Sequence, residues 1–194
     1  MKKFLSVLIA SFALVMIQGF GTISADGGGG ISLSKGAGKY SSTLQGSLTF
    51  CFKPGFLATE NCSTVGAIPV PLNVVVVGQG TQDKDGDSCT TYTSTSGTPG
   101  SPVPPSVGVG PNVSKVTNYD PATGSGDGNY TNYAGGKCIG FKFNSAGATV
   151  VNFGTFHFVY SDDAERTDFV VTSATDAVGD IGAFNLPGVN LKQK

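Results

Sequence analysis

The densest group of chemically active side chains is the acidic run 83–87, which reads DKDGD. Its three carboxylates at alternate positions are the oxygen ligands that a hard cation such as Ca²⁺ takes. The run does not fit an EF-hand, because the sixth and twelfth positions counted from its first residue are Ser88 and Ser94, where that loop needs Gly and Glu. The pair Asp85-Gly86 is a strong hairpin signal between two β-prone runs. We therefore predict a hairpin turn, with a calcium site as the alternative on Asp83, Asp85 and Asp87, and no other cofactor.

His157 is the only histidine and so the only candidate for a histidine base. A second acidic cluster follows it in sequence, with the single arginine, Arg166, placed to pair with Asp168 in an extended segment. The nucleophile motif Gly-x-Ser-x-Gly is absent, and one histidine does not make a histidine-rich zinc site. One hypothesis is therefore a hydrolase or isomerase that uses aspartates with His157. The spacing of residues along the chain does not indicate which aspartates would act with it. The residues favour a protein that is not an enzyme.

The cysteines point to disulfides in an oxidising compartment. An even number behind an export signal is typical of paired cysteines, and no two lie close enough for a zinc motif. Three connectivities are compatible with four cysteines. The four cysteines are Cys51, Cys62, Cys89 and Cys138. We favour Cys51–Cys62, which closes a short loop, together with Cys89–Cys138, which closes a long one.

The amino terminus has the order of a signal peptide. Lys2 and Lys3 precede an apolar run over residues 4–17, and small residues follow up to Ala25. The run is shorter than the ~20 residues that span a bilayer. We predict a leader over residues 1–25, a mature chain that begins at Asp26 and is secreted or periplasmic, and no membrane insertion after the leader is removed.

Composition limits the partners. The chain has 194 residues, 13% of them charged, with a net charge of −1 that becomes about −3 when Lys2 and Lys3 are removed with the leader. Without a basic field, nucleic acid is excluded as an expected partner. The expected partner is a small molecule or another protein.

Short strands carry these side chains. Residues 26–40 are rich in Gly and Ser and are predicted to be a flexible tail, and residues 41–194 to be one all-β domain. Residues 97–111, rich in Pro and Gly, are predicted to be a long surface loop. The predicted strands cover Thr43–Phe52, Val74–Val77, Ser88–Ser96, Val113–Tyr119, Asn129–Tyr133, Cys138–Phe143, Thr149–Tyr160, Thr167–Ser173 and Ile181–Leu186. Because Val74–Val77 is continuously apolar, we predict that this strand is buried on both faces.

Short sequential connections favour a small antiparallel up-and-down β-barrel of eight or nine strands, with a β-sandwich as the alternative. The rhythm of strands and turns is similar to that of calycin-type and allene-oxide-cyclase-type barrels, although no family motif is present. In Thr149–Tyr160 the apolar residues change phase between Phe153 and Phe156. We predict a bulge or break at Gly154 that brings both onto one inner face and leaves His157 on the outer face.

The inward aromatic residues suggest a binding function. Those predicted to fill the core or to line a pocket are Phe141, Phe143, Phe156, Phe158 and Tyr160. The sequence therefore favours an exported, non-enzymatic β-domain that binds a ligand or a partner. The alternatives are the His157 enzyme and a structural surface subunit that assembles by strand addition.

Overall fold

A computed structural model describes residues 30–55, 59–98, 106–176 and 184–194. Within these ranges one short helix and twelve strands form. In chain order they are α1 Leu33–Gly36, β1 Gly38–Phe52, β2 Thr59–Glu60, β3 Ile68–Gln82, β4 Ser88–Gly97, β5 Ser106–Asp120, β6 Ser125–Ala134, β7 Lys137–Ile139, β8 Lys142–Asn144, β9 Thr149–Tyr160, β10 Arg166–Asp176, β11 Phe184–Asn185 and β12 Pro187–Lys192.

Eight strands close into an antiparallel barrel. They follow one another in the order β1, β3, β4, β5, β6, β9, β10 and β12, and β1 pairs with both β3 and β12 to complete the ring. The eight barrel strands follow one another around the ring in chain order, and the pairing of β1 with β12 closes it, which confirms the predicted up-and-down barrel; the sandwich alternative is wrong. Strand β11 continues the line of β12 along β1, and β2 adds a short pairing at the end of β1.

Alternation of side chains decides what faces the interior. On β3, Val74 and Val76 point inward, whereas Val75 and Val77 are 40% and 52% exposed on the outer wall. The sequence predicted that this run is buried on both faces. The correction follows from architecture, because no layer in the described part of the chain packs over the outer face of β3, and its inner face meets the side chains of the barrel interior.

Two predicted segments have different bounds. Residues 106–111, assigned to a surface loop, belong to β5, where Pro111 faces Thr91 of β4. The segment Cys138–Phe143, predicted as one strand, is the hairpin of β7 and β8, which forms a separate two-stranded sheet. Of the segment Ile181–Leu186, residues 181–183 lie outside the described residues, and β12 beyond it was not predicted.

Both predicted disulfides are present. Cys51–Cys62 ties the end of β1 to the following connection, and Cys89–Cys138 ties β4 to β7. Cys89 is 1% exposed, so the second bridge fixes the β7–β8 hairpin against the outer wall of the barrel.

Residues 30–40, assigned from sequence to a flexible tail, pack across one end of the barrel. Ile31 donates its backbone N–H to the Pro121 carbonyl, 2.9 Å away, and accepts a hydrogen bond from the Tyr119 hydroxyl at 2.7 Å. Tyr40 donates its hydroxyl to the Gly36 carbonyl. Apolar contacts from Ile31 and Leu33 to the aromatic cluster hold a segment whose composition alone is typical of a linker. We call this end, which also carries the turns β3–β4, β5–β6 and β9–β10, the closed end.

The irregularity in β9 lies at a different residue from the predicted one. The register against β6 shifts between the pairs Asn132–Asn152 and Tyr133–Val150, which places the extra residue at Val151. Gly154 keeps the same phase as the inward residues, and Phe153, expected to face inward, is 47% exposed. His157 lies on the outer face, as predicted.

Candidate functional site

The barrel encloses a cavity of about 300 Å³. Its lining extends from Gln82 and Gly86 near the closed end to Phe50 and Ser96 near the opposite end, and all eight barrel strands contribute. Ligand sites are usually cavities of roughly 300–1,000 Å³. At ~30 Å³ for each water molecule, the space holds on the order of ten non-hydrogen atoms. The interior is therefore large enough for a small ligand.

The two sides of the cavity differ in chemistry. The apolar wall comes from β1, β3, β10 and the segment before β12, and consists of Leu44, Leu48, Phe50, Val74, Val76, Val171, Ala174 and Leu186. The polar wall comes mainly from β4, β5, β6 and β9, and consists of Ser88, Thr90, Tyr92, Ser94, Ser96, Asn112, Ser114, Asn132 and Asn152. A molecule that fills the cavity meets hydrocarbon on one side and neutral hydrogen-bonding groups on the other.

Among the described residues, no Asp, Glu, Lys, Arg or His side chain lines the cavity. Its tyrosines stay neutral, because burial raises the pKa of Tyr130 to about 12 and raises the pKa values of Tyr92 and Tyr160 above the ordinary value. The interior thus has no formal charge at neutral pH. A charged ligand would lose its hydration here without gaining a counter-ion.

The raised pKa values predict alkaline sensitivity. The Tyr130 pKa is about 12 in the folded protein, against an ordinary value of 10.0. Its contribution to stability is complete below pH ~10 and is lost as pH rises towards ~12, because the unfolded chain releases the proton first. We expect phenolate absorbance of Tyr130 to appear together with the loss of β-sheet circular dichroism. Tyr130→Phe should lose less stability between pH 10 and 12; phenolate formation near pH 10 by all tyrosines in an intact barrel would contradict this.

Three asparagines form a ladder across the polar wall. Asn112 Nδ2 donates to Asn132 Oδ1 at 2.8 Å, and Asn132 Nδ2 donates to Asn152 Oδ1 at 2.7 Å. The three residues are direct cross-strand neighbours on β5, β6 and β9. Sequence reasoning missed them, because only the strand register brings them together. They could have been found by asking which polar residues share the inward phase of adjacent strands.

Glycines opposite the inward rings keep the cavity open. Phe158 lies across from Gly126, and a methyl group on that glycine would be 2.7 Å from Phe158 Cζ. Since the ring occupies the space over the glycine, it lies against the wall and extends less into the lumen. The same pairing recurs on neighbouring strands, as Phe156 with Gly128, Tyr130 with Gly154, Phe169 with Gly188 and Tyr92 with Gly78.

The predicted lining residues divide into two groups. Phe156, Phe158 and Tyr160 line the cavity near the closed end. Phe158 and Tyr160 are buried there and meet edge to face, and Tyr119 stacks on Phe158. Phe141 and Phe143 belong to the β7–β8 hairpin outside the barrel and do not line the cavity. Phe141 is 42% exposed, and Phe143 contacts Tyr133 with ring centroids 4.4 Å apart.

The acidic run 83–87 is the hairpin turn between β3 and β4. Asp83 Oδ1 accepts the backbone N–H groups of Asp85 and Asp87 at 2.9 and 3.0 Å, and Gly86 has a φ of 88°. The other two carboxylates pair with Lys84 and Lys115. Within the described residues no group of three His, Cys, Asp or Glu side chains is placed to hold a metal ion. The three carboxylates are bonded to groups in or beside the turn, which supports the predicted hairpin. They do not converge on one point where a calcium ion could bind.

His157 pairs with an aspartate on the outer wall. Its Nδ1 lies 2.9 Å from Asp127 Oδ1, and the two side chains are 45% and 53% exposed. Neither residue lines the cavity. In the second acidic cluster Arg166 and Asp168 form the predicted pair, with Nη2 2.6 Å from Oδ1. Both pairs lie at solvent, where ion pairs contribute little to stability, and neither meets a nucleophile in an enclosed site.

Comparison of the chain with protein-family models, with curated proteins and with solved structures yields no significant match. The cavity is therefore the feature of this protein that bears on its function.

Proposed function

We propose that this protein is an exported, non-enzymatic β-barrel that binds a small, uncharged, amphipathic molecule in its interior. The observation that carries the proposal is the cavity of about 300 Å³, lined by an apolar wall and a neutral polar wall. An apolar body fits the first wall, and hydroxyl, carbonyl or amide groups fit the second. Since residues 30–40 pack across the closed end, we expect the ligand to enter from the opposite end.

Export is the second part of the proposal. It is supported by the leader-like order of residues 1–25, which lie outside the described residues, and by two disulfides, which persist in oxidising compartments. No helix in the described part of the chain is long and apolar enough to cross a membrane. Amino-terminal sequencing of the exported protein should begin near Asp26.

The two alternative functions have less support from the geometry. An enzyme based on His157 needs that residue beside a substrate cavity, whereas it faces outward and pairs with Asp127. Assembly by strand addition needs an unpaired edge. The eight described barrel strands each pair on both sides over most of their length, and one side is unpaired only in short end segments such as residues 68–72 of β3 and 106–111 of β5.

A fluorescent aromatic alcohol can test the proposal. The chain contains no tryptophan, so the emission of 2-naphthol is read without tryptophan background. We expect the purified mature protein to bind 2-naphthol saturably, and 2-naphthoate at least tenfold more weakly because no counter-ion lines the cavity. Absence of binding by both 2-naphthol and 1-octanol would contradict the proposal, as would preference for the carboxylate.

A pair of adjacent valines supplies the matched control. Val76→Phe adds bulk to the cavity wall, and we expect it to weaken 2-naphthol binding tenfold or more. Val77→Phe makes the same change on the outer wall, one residue away, and should leave the affinity unchanged. Equal affinities for the two variants would place the bound probe outside the barrel.

A further inference from the structure

Three polar side chains form a row inside the barrel. Ser42 on β1 is the cross-strand neighbour of Asn190 on β12, and Asn190 is the neighbour of Thr167 on β10. All three line the cavity. Cβ atoms of directly opposed residues lie roughly 4.5–5.5 Å apart, so the row is one continuous polar patch on the side of the cavity that is otherwise apolar.

The hydrogen-bonding groups of this row are unused. Thr167 is 5% exposed, and its Oγ1 is buried without a hydrogen-bond partner. In the part of the chain that the structure describes, the side chains of Ser42 and Asn190 also make no hydrogen bond. The asparagine ladder differs, because its members bond to one another. A buried hydroxyl without a protein partner is costly and rare in folded proteins, so an occupant of the cavity that reaches Thr167 Oγ1 would gain a hydrogen bond there.

The chemistry of the row defines that occupant. Ser and Thr hydroxyls donate and accept, and the Asn amide does both with separate atoms, so the row can bond a hydroxyl or a carbonyl group. No cation or anion among the described residues lines the cavity beside it. Farther along the same strands the inward residues are apolar, including Leu44 and Phe169.

We propose that Ser42, Asn190 and Thr167 form the subsite that receives the neutral polar group of the ligand, a hydroxyl or a carbonyl, while its apolar body lies along Leu44, Phe169 and Val171. This inference rests on the proposed function and assigns the ligand an orientation. Thr167 lies next to Tyr160 at the closed end, so the polar group enters first and the apolar body follows.

The test compares naphthalene with 2-naphthol, which differ by one hydroxyl group. The affinity ratio is the affinity for 2-naphthol divided by that for naphthalene. We expect Thr167→Val to lower this ratio roughly three- to tenfold, which corresponds to one neutral hydrogen bond. Naphthalene itself should bind Thr167→Val at least as well as the wild type. Thr93→Val, on the exposed outer face of β4, is the matched control and should leave the ratio unchanged. Ser42→Ala supplies a second variant and should also lower the ratio.

The outcomes separate the two proposals. Because Thr167→Val removes a hydroxyl without a partner, its melting temperature without ligand should not fall, so a lower ratio would not reflect unfolding. If both probes bind the wild type and neither variant changes the ratio, the row holds water only and the subsite is overturned, while the cavity remains a binding site. If neither probe binds the wild type, the subsite is overturned, and if 1-octanol does not bind either, the proposed function fails as well.

Discussion

Replacing Cys89 and Cys138 together by alanine is expected to cost about 4 kcal/mol of unfolding free energy, by the chain-entropy model. The bridge closes a loop of sequence separation 49, which contains β5, β6 and most of β4. Without it, the unfolded chain gains the freedom of that whole segment. Four kcal/mol is a large part of the 5–15 kcal/mol that stabilises a typical domain.

The second disulfide is the internal control. Cys51 and Cys62 are separated by 11 residues, and the same model gives about 3 kcal/mol for their replacement by alanine. Denaturant unfolding of the two double variants and the wild type, without reductant, measures both costs. A larger loss from the Cys51/Cys62 variant than from the Cys89/Cys138 variant would refute this account.

Asn132→Asp is expected to destabilise the barrel by about 2–4 kcal/mol at pH 7, because it places a charge in a cavity wall that has none. The new carboxylate could still accept from Asn112, but it would lose the donation to Asn152 Oδ1, and two acceptors would face each other 2.7 Å apart. Repulsion and desolvation both raise the pKa of the introduced carboxyl above its ordinary value of ~3.9.

The pH dependence of the stability of Asn132→Asp tests whether the introduced charge causes the loss. A carboxyl whose pKa is raised in the folded state is tolerated while it is protonated. The loss of unfolding free energy begins above the unfolded pKa and grows as pH rises through the folded pKa. The difference from wild type should therefore disappear when the pH falls below ~4. Asn129→Asp, an exposed change on the outer face of the same strand and opposite Lys115, should stay within ~0.5 kcal/mol of wild type. Similar losses for both variants at pH 7 would show that the interior tolerates charge.

The surface pairs explain why acidic motifs were poor indicators of a site in this chain. The carboxylates of the run 83–87 are used by backbone N–H groups of the turn and by two lysines. Asp127 and His157 meet on the outer wall only because their strands are neighbours. Charged residues collect in turns and on the outer face because burying them costs more than local pairing returns.

Much of the architecture could be predicted from the sequence alone. Period-two alternation, frequent turn residues and short connections are local properties, and they predicted an up-and-down barrel. Cysteine parity behind an apolar leader predicted two disulfides, and loop lengths favoured the pairing that is present. The phase of Phe156, Phe158 and Tyr160 placed them inward and His157 outward, because side-chain direction alternates along a strand whatever its partners are.

The residues of the candidate site come together only through strand register and barrel closure. Asn112, Asn132 and Asn152 are separated by 20 residues each, yet they align because of the strand register, which includes a bulge at Val151. Ser42, Asn190 and Thr167 come from opposite ends of the chain and meet only when β12 closes the barrel against β1. Phe141 and Phe143 alternate like core residues but belong to a hairpin outside the barrel. Periodicity predicts which residues share one face of a strand. Strand register and barrel closure determine which residues of other strands lie beside them, and both depend on contacts between residues that are distant in sequence.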